Sequence, residues 1–371
     1  MSESTFADIP VMNTEEVVEK FSDMYIKAIN KNLPLKTIPS VMLWGAPGVG
    51  KSQAITQIAQ RITEQTGKRT KVTDVRLILF NPVDLRGIPT ADKNKESAVW
   101  LKPEIFNMDP GEDVVNILFL DEISAAPQSV QAAAYQITLD RTVGEHRLPE
   151  NCIVIAAGNR TTDKSVVYKM PKALANRLMH IQVNHSFRAW RRWAERKGIN
   201  PKVIGFLVAR QHYLMNFDPS NDDMAFSTPR SWEMVSNILN NIEDNVDAMY
   251  PFIAGIIGTG LAMEFRGWTK THSGLPDAEK IFKGKEMTLP QYTDSLYSLV
   301  SQMTYYAKGH TDDMDGIINS IRYASKMPAD FYAMLMKNYM NISPSFKHKL
   351  MAIPEVYEWM QSKGKMFNGF N

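Results

Sequence analysis

VMLWGAPGVGKSQAI, residues 41–55, reads as a buried strand, a glycine-rich turn and the opening of a helix. Gly45, Gly50, Lys51 and Ser52 fit the spacing G-x-x-x-x-G-K-[ST], in which a loop wraps a polyphosphate. Glycines let successive backbone N–H groups turn inward around an anion and let the main chain come close to it. The cradle is Gly45, Ala46, Pro47, Gly48, Val49 and Gly50, and the helix that starts near Lys51 adds the positive end of its dipole. Lys51 is placed to reach the β and γ phosphates, and the Ser52 hydroxyl to ligate Mg²⁺. An ordinary glycine turn is the bland alternative. The correct flanking strand and helix weigh against it, and the stretch reads as a nucleoside triphosphate site.

A second apolar run, NILFLDEIS at 116–124, ends in Asp121 and Glu122. A carboxylate at the strand tip can hold Mg²⁺, and one a residue later can polarise an attacking water. Adjacent carboxylates are common at strand ends. What makes these informative is their distance from Lys51, about 70 residues, which accommodates the intervening elements of a parallel sheet. A third run, NCIVIAAGNR at 151–160, carries Asn159 just past its apolar stretch, where an amide could orient water or touch the γ-phosphate. A turn-forming Asn is the alternative. Beyond it, KALANRLMHIQV (172–183) sets Arg177 at a helix end before another apolar run. FSTPRSWEM (226–234) sets Arg230 at a helix start, with Thr228 as N-cap and Pro229 at the first helical position.

The order and wording of these motifs resemble the AAA+ ATPases, specifically the MoxR family. GAPGVGKS and LFLDEIS resemble its Walker A and Walker B motifs. APQSVQAAAYQITLDRTVGEHRLP (126–149), AAGNR and the MP-x-x-LANR-x-x-H run (170–180) are close to its pattern. DLRGIPT (84–90) resembles the start of its helix-2 insert and STPRSWE its sensor-2 region, so the likeness is specific over residues 37–235. The resemblance implies Mg²⁺-dependent ATP hydrolysis in a homo-oligomeric, hexameric ring. Asn159 would be sensor 1, Arg177 an arginine finger given to the neighbouring subunit, and Arg230 sensor 2. It also implies chaperone-like remodelling or maturation of a client, often a protein with a von Willebrand factor A domain. A nucleic-acid motor or loader of the AAA+ class is the alternative.

The bulk properties suit this reading. Over 371 residues, 44% are hydrophobic and 22% charged, ordinary values for a globular protein. A net charge of +2 gives no whole-chain argument for nucleic acid or a membrane surface. The one cysteine, Cys152, excludes an internal disulfide and suits a reducing cytoplasm; in an apolar run it reads as packing, not as a reactive thiol. MSESTFADIP lacks the apolar core of a secretory signal. PFIAGIIGTGLAM (251–263) is too short to span a bilayer and reads as a buried helix. The seven histidines show no zinc-ligand spacing, and His180 reads as a packed or hydrogen-bonded residue.

Along the chain, residues 13–30 have helical apolar spacing in Val17, Val18, Phe21, Met24, Tyr25 and Ala28. Apolar runs at 41–44, 75–80, 116–120, 152–157 and 180–183 predict five parallel strands covered on both faces by helices, with nucleotide at their carboxyl ends. The expected organisation is an N-terminal helical segment (1–36), an α/β ATPase core (37–186), a helical lid (187–262) and a helical extension (263–371). Two segments interrupt the core. Residues 81–103 carry exposed-looking Val99, Trp100 and Leu101. Residues 140–151 fit a hairpin of Thr142–Val143, a turn at Gly144–Glu145, and Arg147–Leu148. By family resemblance both would project into a ring pore. SFRAWRRWAERKG (186–198) reads as a lid helix burying Trp190 and Trp193.

Overall fold

The computed structural model describes residues 9–160, 170, 175–218, 223–271, 276–285 and 288–367. It comprises two compact units, Met1–Ala189 with Asp218–Asp222, and Trp190–Phe217 with Asp223–Asn371. The secretory-signal reading of residues 1–10 falls mostly outside the described residues.

In the first unit, β1 (Val11–Asn13) leads into α1 (Thr14–Asn30), whose N-terminus is closed by a reciprocal Asn13–Glu16 capping box. β2 (Val41–Trp44) is followed by α2 (Lys51–Thr66), β3 (Arg69–Arg76) and the short α3 (Pro82–Arg86). β4 (Ile88–Ala91) and β5 (Ala98–Leu101) form one antiparallel hairpin. β6 (Val114–Asp121), α4 (Gln128–Asp140), the hairpin β7 (Thr142–Val143)/β8 (His146–Arg147), β9 (Cys152–Gly158) and β10 (Met179–Asn184) complete it. The main sheet has the order β1-β10-β2-β9-β6-β3, parallel throughout.

β2, β6 and β9 are near-continuous apolar runs because both faces are covered. The two-residue period splits them. Val41, Leu43, Ile117, Phe119 and Ile155 face α1 and α2, where Phe21, Tyr25, Ile55 and Ile58 meet them. Met42, Leu118, Leu120 and Val154 face α4 through Val130, Ala133 and Ile137. The expected five strands are six: the additional strand, β1, has three residues and pairs with β10, too short to show a period. The strand expected at 75–80 is displaced to Arg69–Arg76, and Leu77–Leu79 form a 3₁₀ turn. β3 is a sheet edge and keeps polar side chains in solvent, so its apolar signal is weak.

In the second unit, no strand follows Asn184 among the described residues. Phe206, on α6 (Pro201–Ala209), lies at ring-centroid distances of 5.2–5.8 Å from Trp232, Phe265 and Trp268. A second cluster joins Leu299, Met303, Ile317, Leu335, Met336 and Tyr339. In α5 (Phe187–Lys197) Trp190 is buried but Trp193 only half-buried. The buried helix expected at 251–263 is instead two helices, α8 (Val246–Ile257) and α9 (Thr259–Thr271), broken at Gly258 with φ +87°. Phe252 and Met263 are exposed, so only one side of each helix is covered. No described helix is long and apolar enough to cross a membrane.

Candidate nucleotide site

The site forms where three neighbouring strands end. β2 runs into Gly45, β6 ends at Asp121, and Asn159 follows β9 by one residue. Gly48 (φ +74°) and Gly50 (φ +101°) hold backbone conformations that side chains rarely adopt, and Gly50 is the N-cap of α2. A Cβ on Gly45 would lie 2.6 Å from the Val183 carbonyl oxygen, so nothing larger fits there. The 16-residue α2 therefore opens on a turn of backbone amides, an arrangement suited to an anion.

The predicted side chains are joined by hydrogen bonds. Lys51 is buried, and its Nζ donates to the carbonyls of Gly45 (2.6 Å) and Ala46 (3.1 Å) and to Asn159 Oδ1 (3.2 Å). Ser52 Oγ donates to Asp121 Oδ2 at 3.0 Å, and the Glu122 amide donates to Asp121 Oδ1 at 2.9 Å. Glu122 has φ +57°, costly for a residue with a side chain and typical of functional sites. Its conformation is locked by the next amide, Ile123 N–H, donating to the Ala157 carbonyl at 3.0 Å. Asp74, on edge strand β3, has its carboxyl pushed up first by burial and then by the negative charge of Asp121. The oxygen donors Ser52 and Asp121 fit a hard cation. Among the described residues no cluster of three or more His, Cys, Asp or Glu could hold a metal. The pair thus fits an ion that takes its remaining ligands from phosphate and water, as Mg²⁺ does.

Neither predicted arginine takes part in these hydrogen bonds. Arg177 is exposed on the turn before β10; the helix expected ahead of it falls partly on 171–174, outside the described residues. Arg230 is exposed at the second position of α7 (Pro229–Asn241) in the other unit. There Thr228 caps the helix, accepting from the Ser231 amide, and Pro229 is its first residue.

Two contributors escape the motif reading. Ser124 Oγ accepts from the Asn159 amide (3.0 Å) and donates to the Asn159 carbonyl (3.2 Å), clamping the backbone of that residue to the turn after Glu122. Gly158 makes room for it, since a Cβ there would stand 2.7 Å from the Ser124 hydroxyl. Thr14 Oγ1 donates to the Val49 carbonyl at 3.1 Å, tying α1 to the phosphate loop. A serine after an acidic pair and a threonine opening a helix carry no long-range signal in sequence. Ser124→Ala should leave ATP affinity within about twofold and slow turnover about five- to tenfold, the worth of roughly one hydrogen bond. Steady-state kinetics would show it, and unaltered turnover would remove Ser124 from the site. Cys152 is buried, with its thiol pushed up to about 12 by burial, an inert packing residue.

The family model described as "ATPase family associated with various cellular activities" matches residues 40–180, the span holding the phosphate loop, Lys51, Ser52, Asp121, Glu122, Ser124, Asn159 and Arg177. Chaperone MoxR1 of Mycobacterium tuberculosis is 29% identical over 143 residues, 38% of this chain and 34% of that protein. The chain thus matches about a third of the length of that relative. Solved structures with a similar course include a mutant form of RuvB of Thermotoga maritima (15% identity, 73% of this chain and 76% of that one, TM-score 0.35). NtrX of Brucella abortus in complex with ADP is another (14%, 89% and 69%, TM-score 0.35). The module at residues 40–180, with its phosphate loop, Asp-Glu strand end and Asn159, is thus similar to the ATPase module of the matched family, and the chain resembles a MoxR-type chaperone over 143 residues.

Proposed function

We propose that this protein hydrolyses ATP with Mg²⁺ in a homo-oligomeric, hexameric ring, and that the cycle remodels or matures a client protein carrying a von Willebrand factor A domain. The observation carrying the enzymatic part is the connected set at the strand ends: Lys51 on Asn159, Asn159 on Ser124, and Ser52 on Asp121, beside Glu122. Lys51 and the loop amides would bind the triphosphate. Ser52 and Asp121 would hold Mg²⁺, whose charge offsets that of the phosphates. Glu122 takes the proton of the attacking water as its oxygen bonds to the γ-phosphorus and the β–γ bridging bond breaks, releasing ADP. Asn159 orients that water. Arg177 serves the pocket of the neighbouring subunit, and Arg230 responds to the nucleotide in its own. The lone, inert Cys152 is compatible with a cytoplasmic location, which is part of the proposal.

The client surface is assigned to the two hairpins. Ile88 pairs with Leu101 across β4–β5, and with Val99 they leave an apolar face 39–61% exposed. In the second hairpin Thr142 pairs with Arg147 and Val143 with His146, so the return arm starts one residue earlier than the sequence suggests. Val143 and Leu148 are core residues, and only Glu145 and Arg147 point to solvent. The hairpins touch: His146 Nε2 lies 2.8 Å from the Trp100 carbonyl oxygen. Gly144 sits so close over Arg86 that a Cβ would be 2.6 Å from its carbonyl.

The test is ATP turnover with and without Mg²⁺ and with and without a von Willebrand A domain client, alongside the mass of the assembly. Mg²⁺-dependent turnover by a hexamer is expected. An I88S/L101S/R147A protein should keep basal turnover and lose stimulation by the client. Intact stimulation would return the hairpins to ordinary loops.

A further inference from the structure

His180, the second residue of β10, has both ring nitrogens engaged. Trp44 Nε1–H donates to its Nδ1 at 2.9 Å, and its Nε2 lies 2.7 Å from the Ala175 carbonyl oxygen. An indole N–H can only donate and a carbonyl can only accept. The partners therefore fix the tautomer: Nδ1 carries the lone pair and Nε2 the hydrogen. The indole and imidazole also stack, with centroids 6.1 Å apart and planes at 17°.

What the ring joins gives it meaning. Trp44 is the last residue of β2 and directly precedes Gly45, where the phosphate loop begins. Ala175 lies two residues before Arg177, and its carbonyl also accepts from the Leu178 amide at 3.3 Å, closing the turn on which Arg177 stands. β10 pairs with β2 in register, His180 opposite Met42 and Gln182 opposite Trp44. The Val183 carbonyl then presses on Gly45. One imidazole thus spans from the strand feeding the nucleotide loop to the turn presenting the arginine.

We propose that His180 is a positioning residue that holds the Arg177 turn in register with the phosphate loop of its own subunit. The guanidinium offered to the neighbouring subunit is then placed by the strand that carries the donor's own nucleotide. The inference rests on Arg177 being the finger in trans.

Two amide substitutions separate the two ends of the bridge. His180→Gln sets an amide N–H near the position of Nε2 and keeps the donor to Ala175. His180→Asn sets its amide near Nδ1, keeps a partner for Trp44 and gives up Ala175. H180N should bind ATP within about twofold of normal and turn it over about 10–100-fold more slowly, the cost of a reacting group misplaced by about an ångström. H180Q, which keeps the Ala175 end and gives up the Trp44 end, should fall between H180N and the unchanged protein. Mixing H180N with Lys51→Ala subunits, which bring correctly held arginines, should restore part of the activity. Arg177→Ala run in parallel tests the underlying reading: normal turnover there removes the finger, and this proposal with it. If Arg177→Ala is inactive while H180N turns over normally, the bridge alone is overturned. It is equally overturned if H180N and H180Q lose activity alike with lowered unfolding temperatures, or if co-assembled H180N mixtures show no recovery.

Discussion

An E122Q protein is expected to bind ATP as the unchanged chain does and to turn it over about 10²–10⁴-fold more slowly, the usual worth of a positioned general base. The substitution keeps size and shape and removes only the proton acceptor. The backbone constraint at residue 122 comes from main-chain groups: its amide donates to Asp121 Oδ1, and the following amide donates to the Ala157 carbonyl. Neither depends on the side chain, so the φ of +57° and the Ser52–Asp121 contact should persist. Lys51→Ala should do the opposite and abolish binding, because it removes the buried ammonium that the phosphate charge requires. Equilibrium titration with a fluorescent ATP analogue and a phosphate-release assay on both proteins decide the matter. Normal turnover by E122Q would transfer the role of base to another group.

The strain at Glu122 explains why it is the second carboxylate, not the first, that suits this role. Asp121 is committed on both oxygens, to the Ser52 hydroxyl and to the amide of Glu122. A left-handed conformation follows at once at Glu122, the first residue beyond the strand that Asp121 ends. Such a conformation costs of order 1–3 kcal/mol. Here it is over-determined by β9 and by the turn bond from the Ala125 amide to the Glu122 carbonyl at 3.0 Å.

Much of this is legible in the chain because the information is local. The phosphate loop needs glycine at fixed offsets, and β2, β6 and β9 announce themselves as apolar runs since both faces of the sheet are covered. The edges are not legible. β3 keeps polar residues in solvent and β1 is three residues long, so the pattern predicts a sheet one strand short and one strand displaced. Long-range polar contacts are also silent. The Ser124 clamp on Asn159 links positions 35 apart, and the Trp44–His180 bond links positions 136 apart. In the hairpin at 142–147, sequence marks the turn but not the start of the return arm, which is His146, and it does not mark Val143 as a core residue.

Arg177→Ala should bind ATP nearly normally and hydrolyse it about 10³–10⁵-fold more slowly, the range a trans-acting guanidinium supplies. Arg177 is exposed on the turn before β10, while at the strand ends Lys51 donates to Asn159 and Ser52 to Asp121. A cation presented to solvent in this way is suited to a phosphate outside its own pocket, where it offsets charge that develops during transfer. Mixing separates that role from one within the same subunit. On this reading Arg177→Ala subunits would have intact pockets and lack the finger, and Lys51→Ala subunits would lack a working pocket and keep the finger. Each protein alone should be nearly inactive. In a mixed ring the second kind can serve the first, so activity should reappear and peak at an intermediate ratio. If rings that demonstrably contain both proteins stay inactive at every ratio, Arg177 acts in its own subunit or a neighbouring arginine such as Arg160 is the finger.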